Sequence, residues 1–277
     1  MLMRLGILGM FLCVLTFGQT FETASVKRAV AGDRVRTSMR GGPGSADPGQ
    51  ITFTSVTLMN VLLRAYDVKS FQAVGPDWLN SERYDVLAKV PEGTSKEQCN
   101  LMLQHLLAER FHLSAHQEKR QLQGYELVVG KSGSKLKASS EIDEVSGEEA
   151  RPPKVDANGF PQLEHPGIAM MERIKGKSVV TFLTARAQTL APLVERLSRE
   201  FRLPILDKTG LPGKYDFKLE FAPEAPGAIS TNRPELDDSA PNLITAVQQQ
   251  LGLKLTPSKV PTDVVVVDRA DRVPVEN

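Results

Sequence analysis

Apolar residues along this chain follow two rhythms, and both recur in the same order in each half. Tyr215, Phe217, Leu219 and Phe221 alternate with Asp216, Lys218 and Glu220, so one strand face is apolar and the other charged. Residues 84–90 alternate in the same way, and both strands open with Tyr-Asp behind a turn and a basic residue. The helical rhythm appears at Leu58, Val61, Leu62 and Ala65, with Thr57 placed to cap it. Ser95 and Gln98 form a capping box before the stripe Met102, Leu103, Leu106 and Leu107. In the second half, Leu190, Leu193, Val194, Leu197 and Phe201 follow Thr189, with Pro192 in the first turn. Leu243, Val247 and Leu251 predict a last helix, begun near Pro241 and stopped at Gly252.

Shorter runs predict the remaining strands, at 21–27, 51–55, 111–115, 125–129, 179–184, 253–256 and 264–267, with extended chain at 68–74 and 203–206. A polar reversal is expected at 117–123. Each half thus reads strand, helix, strand, strand, helix, strand, strand. This is an α+β pattern of two tandem related units, each a small mixed or antiparallel sheet with two helices on one face. Tyr84 and Tyr215 are separated by nearly the same offset as Thr57 and Thr189, which favours an internal repeat. The units are placed at 21–136 and 176–277, with an acidic, proline-rich linker at 137–175.

Composition narrows the setting. Of 277 residues, 41% are hydrophobic and 24% charged, and the formal net charge is +1. These values suit a soluble globular protein and give no push toward nucleic acid. Arg4 and the apolar run 5–17, followed by Gly18, Gln19 and Thr20, read as a secretory signal peptide over 1–20. No membrane span is expected once it is cleaved, and the mature chain is placed in the periplasm or outside the cell. Leu12 before Cys13 does not fit a lipoprotein signal. One cysteine then remains, Cys99, read as a small buried apolar residue.

Catalytic motifs are incomplete. Lys208-Thr209-Gly210 with Ser132 and Lys135 resembles the set of penicillin-recognising serine enzymes, but both pieces fall in turns and no Ser-Asp-Asn stands between them. Gly130-Lys131-Ser132 lacks the earlier glycine of a phosphate loop, where Tyr125 stands. His112 and His116, read on one strand, would be roughly 13 Å apart, too far to chelate one ion. No metal and no cofactor are expected. The residues placed to bind something are those of the two turns and their strands: Asp77, Trp78, Arg83, Tyr84 and Asp85, then Asp207, Lys208, Tyr215 and Asp216. His116 and Glu118 add a charged pair on one strand face.

Several stretches together carry a family resemblance. They are Phe21-Glu-Thr-Ala-Ser-Val-Lys27, Gly75-Pro-Asp-Trp-Leu79 with Arg83-Tyr-Asp85, Leu106-Leu-Ala-Glu-Arg-Phe111, His116 with Glu118, Tyr125-Glu-Leu-Val-Val129, Asp207-Lys-Thr-Gly210 with Tyr215-Asp216, and Gln250-Leu-Gly-Leu253. They resemble a soil-associated family of secreted proteins, abundant in acidobacteria, that carries a domain of unknown function. The chain departs from it at Arg28 and Gln123, where proline is expected. The second half is also similar to the short N-terminal domain of secretins and TonB-dependent receptors, which implies docking. The function expected is an exported, non-enzymatic module that binds a secreted protein or an envelope component. The alternative expectations are an extracytoplasmic hydrolase-like enzyme, or a small-molecule sensor, with a site between the repeats.

Overall fold

The computed structural model describes residues 20–29, 36–140, 154–176, 178–223 and 240–275. Residues 1–19 of the predicted signal peptide 1–20, and the polar residues 224–239, lie outside the described residues. The chain runs β1 (Thr23–Arg28), β2 (Ser38–Gly41), β3 (Gln50–Thr57), α1 (Leu58–Tyr66), β4 (Ala73–Val74), β5 (Arg83–Lys89), α2 (Lys96–Phe111) and β6 (Ser114–Val129). It continues β7 (Lys137–Ala138), β8 (Gly167–Lys175), β9 (Ser178–Gln188), α3 (Ala191–Phe201), β10 (Ile205–Asp207), β11 (Tyr215–Phe221), α4 (Leu243–Leu251) and β12 (Leu253–Arg269). Strands and helices together give an α+β protein.

The chain divides into two compact units, of which the first is discontinuous in sequence and the second is one stretch inserted into it. Unit 1 takes the chain through Glu118 and again from Val264 onward; unit 2 is Lys119–Asp263. Both long strands, β6 and β12, therefore begin in one unit and end in the other.

In unit 1 the sheet order is β1-β5-β3-β2, antiparallel throughout. Ile51, Phe53, Tyr84, Val86 and Ala88 share a buried cluster with Leu58, Leu62 and Ala65 of α1 and Leu103, Leu106 and Leu107 of α2. Both helices therefore cover one face of the sheet. The opposite face of β5, with Asp85, Leu87 and Lys89, is exposed. Both predicted caps form: Thr57 Oγ1 accepts the Asn60 N–H at 3.2 Å, and Ser95 Oγ accepts that of Gln98 at 3.2 Å. The tail of β12 runs parallel to β4, with Val265 opposite Ala73.

In unit 2 the order is β7-β11-β9-β8, again antiparallel. Phe217, Leu219 and Phe221 pack with Leu193, Leu197 and Phe201 of α3 and Ala246, Val247 and Leu251 of α4. β10 runs parallel to the end of β6, with Ile205 opposite Tyr125. The other face of this sheet is covered too. Val180, Phe182 and Thr184 are buried, and Phe160 meets Phe182 edge-on at 5.1 Å. Gly252 ends α4 at φ +68°, and a Cβ there would lie 2.2 Å from the Gly133 carbonyl oxygen. Only glycine satisfies both conditions.

Three expectations are corrected. Residues 117–123 do not reverse: β6 is one strand of 16 residues. Its polar middle still alternates between exposed and half-buried positions, which a strand with a wet face requires. β12 is likewise one strand, passing through Pro257 and Pro261. Those prolines share parity, so their missing N–H groups fall along one side. Finally, β7 and β8 lie inside the predicted linker. The acidic bias that suggested a linker is concentrated in 141–153, outside the described residues. Beyond it, Ile168, Met170 and Ile174 carry the strand alternation that the prolines obscured.

Candidate functional site

The two Tyr-Asp strands show what their carboxylates do. Asp85, on the wet side of β5, accepts the backbone N–H of Ser55 at 2.7 Å. Ser55 has φ +50° and sits where the β3–β5 register slips by a bulge. Asp216 of β11 accepts the N–H of Ala187 at 2.7 Å, and Ala187 also has φ +50° beside a register shift. Each aspartate thus pins a strained bulge in the neighbouring strand. A carboxylate held this way has a structural task and is poorly disposed to shuttle protons.

The tyrosines differ. Tyr84 is fully buried, meets Phe111 edge-on at 4.9 Å, and donates its hydroxyl to the Arg272 carbonyl at 2.6 Å. Burial pushes its phenol above the ordinary range. Tyr215 is half-buried and donates to the Pro212 carbonyl within its own turn at 3.1 Å. Arg83 bridges two segments, donating to Thr37 Oγ1 and the Ser55 carbonyl, each at 2.7 Å.

Of the first turn, Asp77 is exposed at the start of a 3-10 turn, Asp77–Asn80. Trp78 packs on the unit 1 core, and the Arg272 guanidinium lies 5.7 Å above its ring. The tryptophan therefore lids the core. In the second turn, Asp207 Oδ1 accepts from both the N–H and the hydroxyl of Thr209, an Asx turn. The Lys208 N–H bonds to the Leu127 carbonyl at 2.9 Å, and Gly210 takes φ +65°. Upstream, Lys135 Nζ donates to the Gln249 carbonyl near the end of α4 at 2.6 Å, so it serves as a helix cap.

His116 is held by a residue the sequence did not single out. Asp268 accepts at Nδ1 at 2.9 Å, whereas Glu118 stands 3.9 Å from Nε2. His112 is not on a strand: it ends α2 at φ 44° and pairs with Asp271 at 2.8 Å. Both aspartates come from the far end of the chain, beyond the reach of local spacing. Cys99 is buried, and burial pushes its thiol up. Among the described residues, no three His, Cys, Asp or Glu side chains are placed to hold a metal, and no helix is long and apolar enough to cross a membrane.

Among the described residues, each unit has a concavity. That of unit 1, about 640 Å³, mixes Glu22, Lys89, His105, Glu109 and Arg110 with Phe21 and Met102. That of unit 2, about 540 Å³, is more one-sided. It gathers Lys135, Lys137, Arg186 and Lys218 around Thr184, with Asp216 as the lining carboxylate. Lys218 also pairs with Asp156 at 2.6 Å. The Thr184 hydroxyl is buried and has no hydrogen-bond partner. Sequence reading found Lys218 and Asp216 as strand positions but did not join them to Lys135, Lys137 and Arg186.

Residues 59–270 match a family described as a protein of unknown function, DUF3738. The chain belongs to this family. No curated protein and no solved structure was found to match it. The family match therefore brings no named activity to set beside the geometry.

Proposed function

We propose that this DUF3738 chain is an exported, non-enzymatic module that binds a carboxylate- or phosphate-bearing component of the cell envelope. The observation that carries the reading is the unit 2 concavity. Lys135, Lys137, Arg186 and Lys218 line it with Asp216 as the lining carboxylate; Lys218 is paired with Asp156, and cationic charge remains in excess. An anionic ligand would gain from this charge and would bind less well as salt rises. The test is binding of the full chain to an envelope preparation from its own cells. Lys137→Glu should reduce binding at least about fivefold with unchanged melting. Equal binding by wild type and variant would overturn the reading. Export itself is tested by N-terminal sequencing of the protein recovered from the culture medium and periplasm.

We further infer that the two units descend from one ancestral unit. The Tyr-Asp strand, its pinned bulge, the two helices and the order of strands recur in both.

One observation favours a hydrolytic reading instead. His116 has its Nδ1 fixed by Asp268, the orientation a general base needs. If that reading holds, His116→Gln abolishes turnover in an ester and amide substrate screen and leaves envelope binding intact.

A further inference from the structure

Among the described residues, β8 stands at the end of its sheet and pairs with β9 on one side. Its nine residues contain no proline, and its register with β9 shows no bulge. The other terminal strands among the described residues are shorter, at six, four and two residues for β1, β2 and β7 and two and three for β4 and β10. Long open edges are normally blunted by charge, proline or a bulge. Here Ile168, Met170 and Ile174 share one face, and they are 39%, 42% and 80% exposed. Val179, opposite Ile174 on β9, is 46% exposed and extends the patch.

The backbone groups that find no strand partner among the described residues lie on the same residues. Lys175 faces Ser178 at the close of the β8–β9 hairpin, so Lys175, Arg173, Met171 and Ala169 direct their N–H and C=O groups to β9. By alternation, Ile168, Met170, Glu172 and Ile174 direct theirs outward.

We propose that β8 pairs with β8 of a second copy of this chain, antiparallel and centred on Met171. In this register each Ile174 meets the partner copy's Ile168, and each Glu172 meets Met170. Arg173 lies opposite Ala169. All the outward backbone groups from Ile168 to Ile174 find partners, and no like charges face each other. Sliding the centre to residue 172 sets Glu172 against itself, and sliding it to 173 sets Arg173 against itself. Centring on residue 170 leaves Ile174 beyond the paired strand. Self-complementarity about a two-fold axis is what an isologous interface requires. A foreign strand would have to supply apolar residues in the same spacing. No residue of β8 lines the unit 2 concavity.

The experiment uses the full chain expressed from Met1 with Cys13→Ser, leaving buried Cys99 in place. Sedimentation is run up to roughly 100 µM, where a weak strand-pairing interface would be populated. The expected result is a concentration-dependent dimer that Ile174→Lys weakens at least about tenfold with unchanged melting. Under mild oxidation, Met171→Cys should cross-link to itself, because a non-hydrogen-bonded antiparallel pair brings Cα atoms within disulfide range. Ala169→Cys and Arg173→Cys should not cross-link alone but should do so when mixed. A wild-type monomer across this range overturns the proposal. So does a dimer that Ile174→Lys leaves intact, or a cross-linking pattern centred elsewhere.

Discussion

Asp85 reaches from β5 to the Ser55 N–H across a bulge whose backbone is held at positive φ. Asp85→Ala leaves that buried N–H without its acceptor and removes the clamp on a strained residue. The expected loss of stability is about 1–3 kcal/mol in urea unfolding. Asp85→Asn keeps an oxygen acceptor but loses the charge, and should cost less. Ser55→Gly in the Asp85→Ala background should recover part of the loss, since glycine takes positive φ freely.

Tyr84 ties the segment after β12 to the unit 1 core through the Arg272 carbonyl. Tyr84→Phe keeps the ring against Phe111 and deletes one hydrogen bond. The expected cost is about 1 kcal/mol. Amide exchange at Asp271 and Val275, whose N–H groups bond to Phe111 and Arg110, should quicken in the variant. Unchanged exchange there would mean the hydroxyl does not hold this segment.

A single proteolytic cut within 141–153 should leave the fragments together. Unit 1 needs residues from Val264 onward, and unit 2 needs 119–140, so each unit would contain chain from both fragments. Gel filtration of the nicked protein should give one species, and a denaturing gel two. Separation into independent fragments under native conditions would contradict the assignment of β6 and β12.

The Asp156 carboxyl is held below the usual carboxylate range, first by the hydrogen bond from Lys218 and then by the Phe160 N–H, with the Asn158 N–H adding less. Because the folded pKa is depressed, the stabilisation is complete above the unfolded value of about 3.9. It fades as pH falls through the folded value. The segment that lays Phe160 on Phe182 should therefore loosen only in acid below about pH 4. Amide exchange at Gly159 and Phe160 followed down the pH scale checks this, and Asp156→Asn should abolish the pH dependence.

What the sequence disclosed follows from the range of each interaction. Helices α1 and α2 were legible because Thr57 and Ser95 signal a start within one turn of the stripe they cap. The Tyr-Asp strands were legible because alternation is local. The role of Asp85 was not, because its partner lies 30 positions away on another strand. Asp268 and Asp271 were missed for the same reason, each meeting its histidine only through folding. The continuity of β6 was hidden because polar residues on a wet strand face look like a turn when read alone. β8 was hidden by its proline-rich neighbours at 161 and 166.

Ribosomes deliver most of the first unit early and the strand that completes it only after unit 2. Until residues 264–272 emerge, β4 has no parallel neighbour and the Tyr84 hydroxyl has no Arg272 carbonyl to meet. Unit 2 has its whole sequence in hand sooner, with Lys119–Asp263 complete before those residues are made. The order of maturation is therefore the reverse of the order of synthesis. A chain truncated after Asp263 would leave its earlier-made half as the unfinished one.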